Sequence, residues 1–382
     1  MNVVNIARQL ISIPSYVNGK VNETRISRYV EEYLKQIPYL RVRRQRVRGD
    51  RYNIIATSPG KQQLLFIGHL DTVEPKQGCK RDIYTGEIVG DKLYGLGSLD
   101  MKGGVAAILS ALASCANLRG LTLLFYCDEE YNFSGMRTFI KSFKKNPGFK
   151  AVVSAEPTGL GIWNAHRGII EVRFAVKGVS GHAARPDEGK NAIAGIMKIV
   201  DQLAENIQSF SSKELGTPAL NVAAIRGGLD LGKKNALGEI FLGEEGNNIA
   251  DYAEVVLDIR TPSSRLNAGV VRQEVYRYAK QLDLSITYFN IRHDFGPLIT
   301  PREQLTFVED SVNRVLKDVV YIDPSQKGYS DAQLLQQKFG IPVVHFGPSG
   351  MHAHARDEWV SIVSLQKTEH VYQDMMRVNC AR

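Results

Sequence analysis

Three consecutive carboxylates, Asp128, Glu129 and Glu130, close the apolar run 121–127 (LTLLFYC), where a buried strand is expected to stop. Like charges so close together are costly unless a cation offsets them. The same pattern, an apolar run ending in a side chain that can hold a metal, recurs three times. Residues 64–68 lead to His69, with Asp71 two residues on; 151–155 lead to Glu156; and 341–344 run toward His352 and His354. Asp100 adds a further carboxylate where the loop 93–99 gives way to an apolar, helix-like segment. In open α/β sheets, ligands and metals collect in the crevice beyond the carboxyl ends of the strands. The run ends are therefore expected to converge on one place, with a nitrogen and oxygen donor set that lacks Cys and suits a borderline divalent cation.

Each of these residues has a plainer reading when taken alone. A His at a strand end is more often a hydrogen-bonded structural residue, and an Asp before a helix is usually its cap. Glu129 and Glu130 could be solvated carboxylates heading the next helix, where the dipole favours negative charge. The set as a whole shifts the balance toward a metal site.

The segments that carry these residues resemble the co-catalytic metallopeptidase family that includes acetylornithine deacetylase, succinyl-diaminopimelate desuccinylase and glutamate carboxypeptidase. The matching stretches are 68–73 (GHLDTV), 94–103 (YGLGSLDMKG), 128–130 (DEE), 156–158 (EPT), 181–183 (GHA) with Pro186 and 189–192 (GKNA), 258–260 (DIR) and 354–358 (HARDE), in family order across nearly the whole chain. The resemblance implies a role for each residue. Asp100 bridges two metal ions, His69 and Glu156 complete one site, and Glu130 and His354 complete the other. Glu129 is the general base, and Asp71 orients the His69 imidazole. His354 is preferred to His352 because only it stands in the His-x-x-Asp-Glu spacing.

Residues farther along the chain take their roles from the resemblance alone. His182 corresponds to a family His that belongs to the lid domain, commonly reaches the partner subunit's active site and stabilises the oxyanion; its local sequence otherwise reads as a turn. Arg260 corresponds to an Arg that binds a substrate carboxylate, and Asn247 to a substrate-contacting Asn. Ala250 stands where the family usually has Pro. Two Zn²⁺ per chain are implied, with Co²⁺ or Mn²⁺ as substitutes. Such a pair lowers the pKa of a shared water and polarises the scissile carbonyl.

The elements that must position these residues fall into two patterns. Residues 1–166 alternate helix-like and apolar strand-like segments, as an α/β layer requires. Within 167–292 the order is strand 169–177, helix 191–207, strands 220–226 and 254–260, helix 270–282 and strand 284–289, a β-α-β-β-α-β sequence of ferredoxin-like type. From 293 to 382 the chain returns to the first pattern and brings His354 with it. The expected fold is α/β: a catalytic domain of 1–166 and 293–382 with a mixed, largely parallel sheet, and an inserted ferredoxin-like α+β lid/dimerisation domain of 167–292.

Composition agrees with an enzyme of this size. A chain of 382 residues exceeds one small core and suggests two domains. The excess of 48 Lys and Arg over 40 Asp and Glu raises the question of an anionic partner. The densest basic stretch, 41–48 (RVRRQRVR), reads as a solvated strand face with no aromatic platform, so no nucleic acid is expected. No apolar run approaches a membrane span, and the N-terminus reads as an amphipathic helix and not a signal peptide, which makes the cytoplasm the expected location. The four Cys lack metal or disulfide spacing and are expected to be free thiols. The reading is a dinuclear metal-dependent amidohydrolase, a homodimer, removing an acetyl or succinyl group from an amino acid such as acetylornithine. The alternatives are a carboxypeptidase or dipeptidase of the same family, acting on a short peptide, and a non-catalytic binding protein on the same fold.

Overall fold

The structure is a computed structural model that describes residues 2–236, 238–326 and 328–380. It divides into two compact units, one formed by the described residues of Met1–Ala165, Leu298–Asp323 and Ser330–Arg382, the other by His166–Pro297 and Pro324–Tyr329. Among the described residues, no helix is long and apolar enough to cross a membrane.

The first unit is built on a six-stranded sheet in the order Arg41–Arg48, Arg51–Thr57, Leu121–Tyr126, Leu64–His69, Ala151–Ser154 and Val343–His345. The last four run parallel, and the first two are added antiparallel at one edge. The parallel strands are buried along their whole length, which is why they read as unbroken apolar runs. One face meets the helices Val3–Ile11, Gly103–Ala113 and Ile362–Asn379, where Phe66, Leu123 and Val153 pack with Leu10, Ile108, Leu365 and Met375. The Arg-rich stretch forms the outer edge strand, with no residue fully buried, and its charges discourage further pairing at that edge.

The second unit has the β-α-β-β-α-β order with one added strand. Its antiparallel sheet runs Ile240–Gly243, Ala219–Lys234, Tyr252–Thr261, Gly168–Lys177, Ser285–Phe295. The helices Ala192–Asn206 and Ala268–Gln281 are capped by the side chains of Asn191 and Asn267 and bury Ile196, Ile199, Val271 and Val275 against Ile170, Val172, Phe174 and Val255. Two strands run farther than the apolar alternation reaches: one continues to Lys234, the other to Phe295. Their extensions are carried by backbone pairing, as Leu229 with Gly243 and His293 with Glu171 show, and the first unit resumes at Leu298.

Candidate metal centre

The parallel strands bring their carboxyl ends level. His69 pairs in register with Tyr126, and Ser154 lies beside both Ile67 and His345. Residues two to four positions past those ends therefore share one crevice: Asp71 after the first strand, Asp128–Glu130 after the second, and Glu156 after the third. The helix Gly103–Ala113 approaches so closely that a Cβ on Gly104 would lie 2.1 Å from the Ala155 carbonyl oxygen.

Asp100 does not cap that helix. It sits in a π-helical turn, Ser98–Lys102, with its own backbone out of helical geometry (φ −117°, ψ 97°), and Lys102 occupies the cap position without a side-chain capping bond. Its carboxylate instead faces two imidazoles. Oδ1 lies 3.1 Å from His69 Nε2 and Oδ2 lies 3.3 Å from His354 Nε2, while His354 Nε2 is 3.0 Å from Glu130 Oε1. Two ligand groups result, His69 with Asp100 and Glu156, and Asp100 with Glu130 and His354, each with its donor atoms within 4.8 Å of one another. They share only Asp100. His352 belongs to neither; its ring faces the Asp357 carbonyl oxygen.

Asp71 acts through two different groups. Its backbone oxygen lies 3.1 Å from His69 Nδ1, with its carboxylate farther off at 3.6 Å. A proton on Nδ1 would thus leave Nε2 as the donor atom toward the crevice. The Asp71 carboxylate accepts instead from the backbone N–H of Glu129 and of Glu130, at 3.1 and 2.9 Å. The same turn is held from behind by Asp128, whose Oδ1 meets Arg51 at 3.0 Å, and Arg51 is itself gripped by both oxygens of Glu23. Glu129 stands outside both ligand groups, 9% exposed, with the Asp331 N–H 3.4 Å from its Oε1.

The electrostatics are those of a site short of positive charge. Burial pushes Glu156 up to about 8, with Asp100 adding to the effect, and burial with the nearby Asp331 pushes Glu129 well above the carboxylate range. Burial also raises Asp331 to about 7. At Asp100 burial acts upward too, but the His354 and His69 hydrogen bonds outweigh it and hold the carboxyl well below its ordinary value. His354 is raised to about 10 by Asp100 and Glu130. Crowded carboxylates with two imidazoles and no thiolate fit a pair of divalent cations held by nitrogen and oxygen.

A pH dependence follows. Glu129, Glu156 and Asp331, raised in the fold, contribute stability that is fully present below their unfolded values near 4 and lost as pH rises through their folded ones. The raised His69 and His354 add a loss of the same sign above about 6.5. The low-held Asp71 and Asp100 act only around and below about 4, Lys102, lowered by burial to about 7, acts only above that, and His166, lowered by burial to about 4, opposes the loss up to about 6.5 but is one group against several. Metal-stripped protein should thus melt at a higher temperature near pH 5.5 than near pH 7, whereas the gain on adding Zn²⁺ should be larger near pH 7, because ligands bind metal deprotonated. Calorimetry showing the stripped protein equally or more stable near pH 7 would contradict this balance.

His182, Asn247 and Arg260 belong to the second unit. His182 is exposed on a loop bridged to Asn248, and the Ala183 N–H donates to the Asn247 carbonyl oxygen at 2.9 Å. Arg260, half-buried on its strand, makes a two-point contact with Asp258 at 2.8 and 3.1 Å. Asp331 is the site residue that the sequence did not announce. It is fully buried, with Oδ1 accepting from the Tyr126 hydroxyl at 2.7 Å, yet it follows a polar loop and ends no apolar run.

A parallel-sheet crevice that holds two ligand groups around one shared carboxylate, with a separate buried Glu, defines a metal-dependent hydrolase. The chain belongs to Peptidase family M20/M25/M40, which it matches over residues 65–378. It is 31% identical over 396 residues to an acetylornithine deacetylase of Photorhabdus laumondii, covering 99% of this chain and 97% of that protein. A succinyl-diaminopimelate desuccinylase of Wolinella succinogenes is 28% identical over 385 residues, covering 97% and 98%. The fold matches that of an M20 family metallo-carboxypeptidase from Sulfolobus solfataricus with a TM-score of 0.79 at 16% identity, over 99% of each chain.

Proposed function

We propose that the protein is a dinuclear amidohydrolase that removes an acetyl or succinyl group from the nitrogen of an amino acid, acetylornithine among the candidates. The observation that carries this reading is the Asp100 carboxylate, one oxygen toward His69 and the other toward His354, with Glu129 close by but in neither ligand group. The names of the curated relatives support the deacylase direction. His69 and Glu156 would hold one Zn²⁺, Glu130 and His354 the other, and Asp100 both. When bound, such a pair supplies Lewis acidity to the attacking water and the amide carbonyl.

The remaining work falls to the chain's own side chains. Glu129 accepts the proton of the attacking water on its carboxylate and delivers it to the departing amine, serving as base and then acid. His182 would donate to the oxyanion, and Arg260 and Asn247 would hold the substrate carboxylate end. Screening N-acetyl, N-succinyl and dipeptide substrates, with stripped enzyme resupplied with Zn²⁺, Co²⁺ or Mn²⁺, tests the reading. Turnover of dipeptides alone would favour a peptidase, and no metal-dependent turnover of any would sink it.

The reading includes a homodimer formed through the second unit, with His182 completing the partner's site. The strand Ala219–Lys234 pairs with Ile240–Gly243 only from Leu229 onward, and Val222 and Ile225 are exposed along its earlier half, a surface suited to a second copy. Mixing inactive His182→Ala and Glu129→Gln chains should then restore activity. Random exchange makes half the dimers hybrid with one intact site each, so about a quarter of wild-type activity is expected, under about 1 kcal/mol on the rate scale. No recovery despite demonstrated subunit exchange would place His182 in its own chain's site or outside the reaction.

A further inference from the structure

Glu358 is 4% exposed and belongs to neither ligand group. Its Oε1 accepts from the backbone N–H of Leu99 and of Asp100, both at 2.9 Å, and its Oε2 from that of Gly97 at 2.8 Å. Three donors from one four-residue stretch thus wrap a single carboxylate, as successive backbone N–H groups do in an anion cradle. Gly97 makes this possible. It adopts φ 76°, and a Cβ there would lie 2.6 Å from Thr72 Cγ2.

The cradle explains a conformation that helix formation does not. Asp100 lies within a π-helical turn yet has extended backbone angles, and its N–H goes to Glu358 and not to a helical carbonyl. That conformation turns the Asp100 carboxylate so that each oxygen faces a different imidazole. Glu358 is also fixed at its own end. Its carbonyl oxygen accepts from Gly95 N–H at 3.0 Å, and the strand that follows it, Trp359–Ser361, pairs with Lys92–Tyr94. It stands four residues after His354, so one side chain ties the segment bearing His354 to the loop bearing the shared ligand.

We propose that Glu358 is the positioning residue of the metal centre: its carboxylate holds the 97–100 backbone so that Asp100 serves both ligand groups at once. This rests on the two-metal reading above. A side chain that merely filled the core would affect folding without singling out the metals, whereas a residue that aims the shared ligand must affect both ions together.

The test is metal affinity, measured by competition with a chromophoric chelator on stripped protein, with no reliance on activity. Glu358→Gln keeps the shape but sets an NH₂ against backbone donors. Both equivalents of Zn²⁺ should bind on the order of 10–100-fold more weakly, the usual cost of losing a partner behind a ligand. Asp357→Asn serves as the control on the same segment, since among the described bonds the Asp357 carboxylate accepts from the exposed Lys80 N–H, and its contact with His352 is through the backbone oxygen that Asn keeps; it should stay within about threefold of wild type. Should Glu358→Gln fail to fold, Glu358→Asp takes its place under the same criterion, because it retracts the charge by one methylene. Binding of both equivalents within about threefold of wild type, weakening of one equivalent alone, or an equal loss in Asp357→Asn would each overturn the proposal. Wild-type protein that takes up fewer than two equivalents would instead refute the two-metal reading, and the two failures are told apart by the wild-type titration itself.

Discussion

Glu129→Gln should bind the same metal complement as wild type and lose on the order of 10²–10⁴ in kcat, about 3–5 kcal/mol of barrier, the contribution of a general base. The substitution is conservative where the structure needs it to be. The bond that Glu129 makes to Asp71 comes from its backbone N–H, which Gln retains, and its side chain belongs to neither ligand group. The Asp331 N–H that approaches Oε1 finds an amide oxygen just as well. What Gln lacks is a site for the proton. A carboxylate there can take a proton from water and hold it until the amine departs. An amide can neither take it nor return it. Turnover within about threefold of wild type at unchanged metal content would remove Glu129 from the role of base.

The parts of this site that were legible in the sequence are those where local pattern and long-range position coincide. A buried parallel strand must be apolar on both faces, so its end is marked by the first polar residue, and register then carries His69, Glu129, Glu130 and Glu156 to one crevice. The β-α-β-β-α-β order of the second unit was visible for the same reason: its strands and helices each bury one face. Ile240–Gly243 was not, because a short strand with no buried residue leaves no alternation to read. Asp331 and the Glu23–Arg51–Asp128 chain were invisible too. They are joined across 205, 28 and 77 positions, and although Tyr126 and Asp128 stand at the end of an apolar run, nothing in the local sequence marks Asp331, Glu23 or Arg51 as their partners. Asp71 shows a subtler gap: the resemblance implied that it orients His69, and its carboxylate lies 3.6 Å from Nδ1, but the nearer atom at 3.1 Å is its carbonyl oxygen, which no side-chain pattern can reveal.

Asp100→Ala should abolish tight binding of both metals, whereas His354→Ala should weaken mainly one. The asymmetry comes from the geometry: Asp100 belongs to both ligand groups and His354 to one. Without the Asp100 carboxylate, the first group falls to His69 and Glu156 and the second to Glu130 and His354, each below the three protein ligands that a catalytic zinc site ordinarily has. His354→Ala leaves His69, Asp100 and Glu156 intact. Elemental analysis after gel filtration should therefore find less than about one ion per chain for Asp100→Ala and about one for His354→Ala, against about two for wild type. The two imidazoles add a second readout. With Asp100 gone, His69, whose burial acts the other way, and His354 both lose the partner that raises their proton affinity most, so both should titrate nearer to the ordinary value of about 6.5 in the metal-stripped variant, as followed by NMR of the imidazole protons. Two full equivalents of metal retained in Asp100→Ala would contradict a shared ligand, because a carboxylate that serves both groups cannot be removed without either group registering its loss.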